Sequence, residues 1–170
     1  MARYQHTVAG TRFVVTMTGT GATSTQPAIY IDGAFAKVVV RNGAIRNWKQ
    51  AIQHFIGGSI VVEGVHAYGS LLIQFELQNA LVERCSAEEG LNHGFFVSSG
   101  VLTDCTAKNN TGTGFTINSA STIVRGCSAI GNDSGGFSLG QGVAENCRAE
   151  NNTGSGFINP GTMTNCTAIS

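Results

Sequence analysis

Charge is scarce in this chain. Only 12% of the 170 residues are Asp, Glu, Lys or Arg, and ten basic residues balance ten acidic ones. With neither net charge nor a Lys/Arg cluster, the sequence gives no electrostatic basis for binding nucleic acid or an anionic membrane. The longest apolar runs are a few residues, so no segment is expected to span a bilayer. The opening residues, MARYQHTVAG, also lack the apolar stretch of a signal peptide.

Helix-forming character is scarce as well. The segment CTAKNNTGTGF (105–115) is dense in Asn, Thr and Gly, which oppose helix formation. Leucine is too rare for a leucine-rich repeat, which needs several leucines in each unit. These absences exclude the common helical repeats and favour an all-β protein.

What the chain does contain is an internal repeat. The segment CTAKNNTGTGF (105–115) recurs, with few changes, 42 residues later as CRAENNTGSGF (147–157). The cysteines mark the repeat most clearly, at Cys85, Cys105, Cys127, Cys147 and Cys166. An alanine lies two residues after each cysteine, and a phenylalanine preceded by glycine lies ten residues after each of the first four. A period of about 20 residues with small apolar residues in register is typical of a solenoid.

Short alternating segments predict which kind of solenoid this is. In the segments 105–107 and 115–117 every second residue is apolar or small, as in a short strand with one buried face. Such strands, separated by tight corners and wound at about 20 residues per turn, form a parallel β-helix. Coils would then lie about 4.8 Å apart. Equivalent residues would stack into a cysteine ladder inside and an asparagine ladder, Asn110, Asn132 and Asn152, at a corner.

The same frame extends upstream. The residues that share columns with Val82, Cys85, Ala87 and Phe95 are Val62, Val65, Ala67 and Phe75, and one coil earlier Val40, Gly43 and Ile45. Either Ile52 or Phe55 is the next inward residue of that earlier coil. We therefore expect about seven coils in residues 38–170, with residues 1–37 forming capping strands in the same single domain.

The run VVVRNGAIRNW (38–48) and the repeated pattern C-x-A-x-x-N-x-x-G-x-G-F resemble a known family. They are similar to the right-handed parallel β-helix repeat proteins of the pectin-lyase-like superfamily, over about residues 38–170. The resemblance implies a right-handed parallel β-helix and favours a secreted or cell-surface location. The superfamily includes polysaccharide lyases, glycoside hydrolases, alginate epimerases and phage tailspikes, so fold alone does not decide function.

The outward side of the strands that carry the Gly-Phe pair is the candidate binding surface. Pleating points alternate residues to solvent, and stacking aligns them across coils. The candidate substrate-binding residues, which combine amide, carboxylate, hydroxyl and aromatic groups suited to sugars, are Gln74, Glu76, Gln78, Phe96, Thr116 and Asn118. Phe96 is the most informative of them, because the frame already supplies Phe95 as the inward residue.

The resemblance does not assign a catalytic residue to this chain. Hydrolases of the superfamily use paired carboxylates, and its lyases use calcium-binding acids with an Arg or Lys base. Glu76 is the only acid in the outward columns of the Gly-Phe strands, and Glu83, Arg125 and Glu145 spread over several coils of another strand. We therefore leave the catalytic residues, if any, unassigned, and predict no cofactor or metal.

Three further motifs have simpler structural explanations. The cysteines are odd in number, and the spacing of about 4.8 Å between coils is wider than the Cβ–Cβ distance of about 3.8 Å in a disulfide. They are therefore predicted to be free and buried. The string GFSLG (136–140) matches a nucleophile elbow but lies in the strand frame of the repeat. His93 shares a turn with Glu88 and Glu89, which an exposed polar turn explains better than a metal site.

The function that these observations favour is a carbohydrate-interacting module that binds polysaccharide on an outer strand face. The alternatives are a non-catalytic structural or assembly solenoid, and a polysaccharide lyase or hydrolase. Ice binding is disfavoured because Arg148 interrupts the Ser/Thr column that follows the cysteines. The sequence ends four residues after Cys166 without a recognisable cap, which predicts self-association through the last coil or a longer parent chain.

Overall fold

Twenty short strands build the protein, whose computed structural model describes residues 18–20 (backbone only), 27–31, 37–55, 57–158 and 161–170. Within these ranges there is no helix and every paired strand is parallel to its neighbours. The strands are β1 (Thr18–Thr20), β2 (Ile29–Ile31), β3 (Lys37–Arg46), β4 (Ile52–His54), β5 (Ser59–Tyr68), β6 (Phe75–Leu77), β7 (Ala80–Glu83), β8 (Ser86–Glu88), β9 (Phe95–Val97), β10 (Gly100–Thr103), β11 (Thr106–Lys108), β12 (Thr113–Ile117), β13 (Ile123–Arg125), β14 (Ser128–Ile130), β15 (Gly135–Ser138), β16 (Val143–Glu145), β17 (Arg148–Glu150), β18 (Phe157–Ile158), β19 (Thr162–Thr164) and β20 (Thr167–Ile169).

Each complete coil places one strand on each of three faces. The first face contains β7, β10, β13, β16 and β19, and the second contains β8, β11, β14, β17 and β20. The long strands β3 and β5 turn a corner and contribute to both. The third face contains β2, β4, β6, β9, β12, β15 and β18. This arrangement confirms the predicted all-β parallel β-helix of about seven coils.

Adjacent coils pair in the register that the repeat predicts. Ala87 pairs with Ala107, and Phe95 pairs with Phe115. Upstream, Ile52 pairs with Phe75 and is fully buried, whereas Phe55 is exposed. Ile52 is therefore the inward residue that the sequence alone left undecided.

The N-terminal segment contributes two of the strands. β1 pairs with β3, and β2 pairs with β4, both in parallel, so they continue the sheets by part of a further coil. Apart from these strands and residues 27–28, residues 1–36 lie outside the described ranges, and a capping role for this segment stays a prediction. Self-association through the last coil stays a prediction as well.

The corners repeat the same backbone turn in successive coils. The residues with positive φ between the first and second faces are Asn42, Gly64, Arg84, Asp104, Gly126, Asn146 and Asn165. Those between the second and third faces are Asn47, Gly69, Glu89, Asn109, Gly131 and Asn151. Most are Asn, Asp or Gly, the residues that enter the left-handed region at least cost. Repetition of one turn at one place keeps the coils superimposed.

The interior is filled by residues of the same kind at the same height. Five phenylalanine rings, from Phe75 to Phe157, stack with centroids 4.7–4.9 Å apart. Four of the five cysteines are buried and free, and Cys166 in the last coil is half-buried and free. The prediction of free, buried thiols is therefore confirmed for the first four.

Candidate functional site

Strand register assembles one outward column along the third face. In order along the β-helix, its members are Tyr30, Gln53, Glu76, Phe96, Thr116, Ser138 and Ile158. We refer to these residues as the third-face column. Four members, Gln53, Glu76, Phe96 and Thr116, each lie between two buried residues of their own strand, as Phe96 lies between Phe95 and Val97. Since coils lie about 4.8 Å apart, the column presents side chains at regular intervals.

Glu76 is held in place by two amides. The side-chain Nε2 of Gln50 and the Nε2 of Gln53 both donate to Oε2 of Glu76, the latter over 3.1 Å. Gln50 is itself buried. Within the described residues no hydrogen bond reaches the second carboxylate oxygen, Oε1. That oxygen can therefore accept a hydrogen bond from a ligand without breaking an existing one.

Two aromatic residues share the column with Glu76. Tyr30 is 56% exposed, whereas Phe96 is half-buried. They are three coils apart, or roughly 14 Å, with Gln53 and Glu76 between them. Aromatic faces at this spacing, with polar groups between them, can stack on sugar rings while hydrogen bonds fix the hydroxyls.

The remaining predicted residues differ in accessibility. Gln78 and Asn118 are exposed beyond the ends of β6 and β12. Thr116 lies in the column, but its Oγ1 is buried and has no partner among the described residues. The Thr116 hydroxyl is therefore not accessible in this conformation, whereas the amides of Gln78 and Asn118 are open to solvent.

The expectation that Gln74 belongs to the outer surface is wrong. Its side chain is fully buried, and its Nε2 donates to the carbonyl oxygen of Glu88 (2.9 Å) and to Oδ1 of Asn110 (2.8 Å). Gly90 leaves the space for this amide, because a Cβ on that glycine would lie 2.6 Å from Nε2 of Gln74. Gln74 is a structural residue and is not part of the candidate site.

Three asparagine side chains extend the hydrogen bonding of Gln74 across successive coils at the corner between the second and third faces. Nδ2 of Asn110 donates to Oδ1 of Asn132 over 3.0 Å, and Nδ2 of Asn132 donates to Oδ1 of Asn152 over 2.9 Å. Each asparagine also donates to a backbone carbonyl oxygen, as Asn110 does to that of Ala87. These amides satisfy backbone groups that the corner leaves without strand partners.

Sequence reasoning missed two members of the column, Tyr30 and Gln53. The alternation in Ile29–Ile31 is a strand signal, but it lies outside the cysteine repeat. Gln53 follows Ile52 directly, so its outward direction depended on the choice between Ile52 and Phe55. A strand assignment at Ile52–His54 would have placed Gln53 next to Glu76.

The charged side chains of the first face form ion pairs. Arg41 Nε lies 2.6 Å from Oε2 of Glu63, and Arg84 contacts the other oxygen of Glu63. Further along, Arg125 Nε lies 2.5 Å from Oε2 of Glu145. Both oxygens of Glu63 are thus paired with arginine, which is unlike the free acid and base of a glycoside hydrolase.

No cluster of three or more potential metal ligands occurs among the described residues. His93 is half-buried, and its Nδ1 accepts a hydrogen bond from the backbone N–H of Thr113 over 2.9 Å. Burial lowers the pKa of His93. The histidine therefore joins two coils. Among the described residues no helix is long and apolar enough to cross a membrane.

Comparison with known proteins supports the fold. The family model described as a right-handed beta helix region matches residues 8–153, most of the chain. No curated protein and no solved structure matches the chain significantly. The family match agrees with the resemblance to the pectin-lyase-like superfamily inferred from the repeat.

Proposed function

Because this chain belongs to the right-handed β-helix family, we propose that its regular outer surface serves as a carbohydrate-binding module, with the third-face column as the binding site. In this proposal a polysaccharide lies along the axis of the β-helix. Tyr30 and Phe96 stack against sugar faces, and Glu76, Gln53 and Gln78 bond sugar hydroxyls. No catalytic step is assigned to the site.

The observation that carries the proposal is the fixed carboxylate between two aromatic residues on one column. A binding site gains affinity when its polar groups are already oriented, because less side-chain entropy is lost on binding. Gln50 and Gln53 orient Glu76 in this way. The second oxygen, Oε1, has no hydrogen bond among the described residues, so the oriented carboxylate can accept from a sugar hydroxyl.

A polysaccharide lyase or hydrolase is a weaker candidate. The third-face column has one carboxylate, whereas hydrolysis by the usual route requires two across one bond. The nearest acids on the first face, Glu63 and Glu83, lie around a corner and contact arginine. Glu63 and Glu83 are register partners one coil apart, but each contacts arginine, unlike the free acid and base of a hydrolase.

The central test is Phe96→Ala, measured by isothermal titration against soluble polysaccharides. We expect affinity to fall by a factor of about 5 or more, because one aromatic stacking contact is worth about 1 kcal/mol. Half-buried Phe96 contributes less to folding than the core rings, so the cost to unfolding free energy should be about 1 kcal/mol. Leu81→Ala is the matched control, since Leu81 is an exposed apolar residue on the first face.

Two results with the variants would contradict the proposal, as would a wild-type protein that binds no glycan. One is equal loss of affinity in the Phe96 and Leu81 variants, which would place the ligand elsewhere. The other is a loss of several kcal/mol of stability in Phe96→Ala, which would identify Phe96 as part of a packed interior. If the wild-type protein binds no glycan at all, a structural solenoid is the better description.

A further inference from the structure

The third face carries very little charge. Of the Asp, Glu, Lys and Arg residues of the chain, Glu76 is the only one in the described strands of this face, β2, β4, β6, β9, β12, β15 and β18. The corner segments that lead from this face to the first face, 78–79, 98–99, 118–122 and 140–142, contain none either. His54 lies in β4 but is buried. On these strands and corners a ligand therefore meets one negative charge and no positive one. The corner segments that lead into the face carry Lys49, Glu89 and Asp133.

The arginines that could receive an acidic sugar are engaged elsewhere. Arg41 and Arg84 contact Glu63, and Arg125 contacts Glu145, all on or beside the first face. Recognition of a carboxylate by a protein typically uses a bidentate arginine or another cation. The described strands of the third face offer no such group, and the nearest lysine in sequence, Lys49, lies in the corner before β4.

Glu76 cannot easily turn away from a ligand. Its Oε2 accepts hydrogen bonds from Gln50 and Gln53, and the buried position of Gln50 limits the movement of that anchor. The carboxylate is therefore held on the side of its coil that faces Gln53, and Phe96 is its register neighbour on the other side. A uronate carboxylate bound at the same height would face a like charge at short range, which is unfavourable.

We propose, on the basis of the carbohydrate-binding function above, that the third-face column selects neutral polysaccharides and rejects polyuronates, and that Glu76 is the residue that discriminates between them. Neutral sugars supply hydroxyl donors for Oε1 of Glu76 and C–H faces for Phe96 and Tyr30, without a second negative charge. The specificity arises from electrostatic repulsion as much as from attraction.

The test compares two classes of soluble glycan of matched length by affinity electrophoresis and titration calorimetry. The neutral class consists of a β-glucan, a galactomannan and a xylan, and the acidic class consists of polygalacturonate and alginate. We expect at least one neutral glycan to bind at least tenfold more tightly than either polyuronate at low salt. The difference should shrink as salt is raised, because salt screens exposed charges.

Glu76→Gln removes the charge and keeps the shape of the side chain. We expect this variant to weaken neutral-glycan binding, because a charged acceptor is lost, and to strengthen polyuronate binding at least fivefold, because the like charge is removed. Glu145→Gln is the matched control, because it removes a carboxylate from the first face and should leave the discrimination unchanged. Thermal unfolding of both variants checks that each remains folded.

The outcomes separate this inference from the proposed function. Tighter binding of polyuronate by the wild-type protein, sensitive to Phe96→Ala, would overturn the inference and leave the binding site in place. Unchanged discrimination in a folded Glu76→Gln variant would overturn the role of Glu76. Absence of binding to every glycan would overturn both the proposed function and the inference that rests on it.

Discussion

At the scale of single residues, the buried cysteines are held by weak hydrogen bonds within an apolar interior. The Sγ of Cys85 donates to the carbonyl oxygens of Glu83 (3.3 Å) and Val62 (3.6 Å), and Cys147 makes the equivalent contacts. Burial raises the pKa of Cys147 to about 11. The side-chain hydrogen bond with Cys105, followed by burial, raises the pKa of Cys85. Such thiols form little thiolate at neutral pH and react slowly.

We predict that the folded protein has one readily labelled thiol. Cys166 is half-buried in the last coil and should react promptly, whereas Cys85, Cys105, Cys127 and Cys147 should react only after unfolding. Titration with a chromogenic disulfide reagent at pH 8 should rise from about one thiol in native buffer to all five in denaturant. A Cys166→Ser variant should show almost none before unfolding. Prompt reaction of two or more thiols in that variant would contradict the buried arrangement.

His93 gives the protein a specific pH dependence. Its Nδ1 accepts the backbone N–H of Thr113 and must be unprotonated to do so. Burial lowers its pKa below the ordinary value of 6.5, so the unfolded chain binds the proton more tightly than the folded one. The stabilisation is therefore present above about pH 6.5 and is lost as the pH falls through the lowered folded-state value.

We predict that His93→Asn weakens this pH dependence. The Oδ1 of asparagine occupies a position comparable to Nδ1 and accepts the Thr113 N–H without titrating. Urea unfolding of the wild-type protein from pH 8 to pH 5 should show a loss of stability that is smaller in the variant. Parallel curves for the two proteins over this range would show that His93 does not cause the dependence.

At the scale of the element, the corner between the first and second faces is formed by residues in the left-handed backbone conformation. The adjacent coil leaves little space for a side chain at these positions. Gly126 has a φ of 59°. A Cβ on this glycine would lie 2.4 Å from Oδ1 of Asp104 in the preceding coil. The side chain at one corner position thus limits what the next coil can place above it.

We predict that Gly126→Ala lowers the free energy of unfolding by about 1–3 kcal/mol, since it combines a left-handed alanine with a steric conflict. The double variant Asp104→Gly/Gly126→Ala should recover part of this loss, because Asp104 supplies the conflicting atom. Denaturant unfolding of the two single variants and the double variant measures the coupling. Strictly additive effects would mean that backbone strain alone accounts for the cost.

At the scale of the whole molecule, the stability of a β-helix is approximately the sum of coils and their interfaces. Residues 105–126 form one complete coil, from one cysteine to the corner glycine before the next. Their removal joins Asp104 to Cys127, and Asp104 already has the left-handed conformation that Gly126 has. Phe95 would then stack on Phe137.

We predict that deletion of residues 105–126 gives a folded protein with a cooperative thermal transition and an unchanged β circular dichroism signature. Glycan binding should persist as well, because Tyr30, Glu76 and Phe96 remain. Deletion of residues 105–115, which removes half a coil, should prevent folding because it shifts all later columns out of register. Loss of structure in the full-coil deletion would show that the coils are not exchangeable.

The sequence by itself determined the coil and its interior. Strand alternation fixes which residues point inward, and the period of about 20 residues places Cys, Ala and Phe at equal heights in successive coils. These features need only local pattern and repetition, so Phe95 and Phe96 could be assigned to opposite sides of one strand. The assignment of Glu76, Phe96 and Thr116 to one column followed from the same reasoning.

Only the tertiary structure decided which side chains fill the irregular positions. Gln74 lies outside the repeated pattern, and its burial depends on Gly90 and Asn110, the latter 36 residues away, which together create a space that an amide fills. Tyr30, Gln53 and Glu76 are each separated by 23 residues in sequence. In these coils the length of the corners, and not the strand pattern, sets the register that brings Tyr30 and Gln53 into the column. Contacts between coils are made by residues distant in sequence. Gln50 can orient Glu76, 26 residues away, only because the folded β-helix stacks their coils.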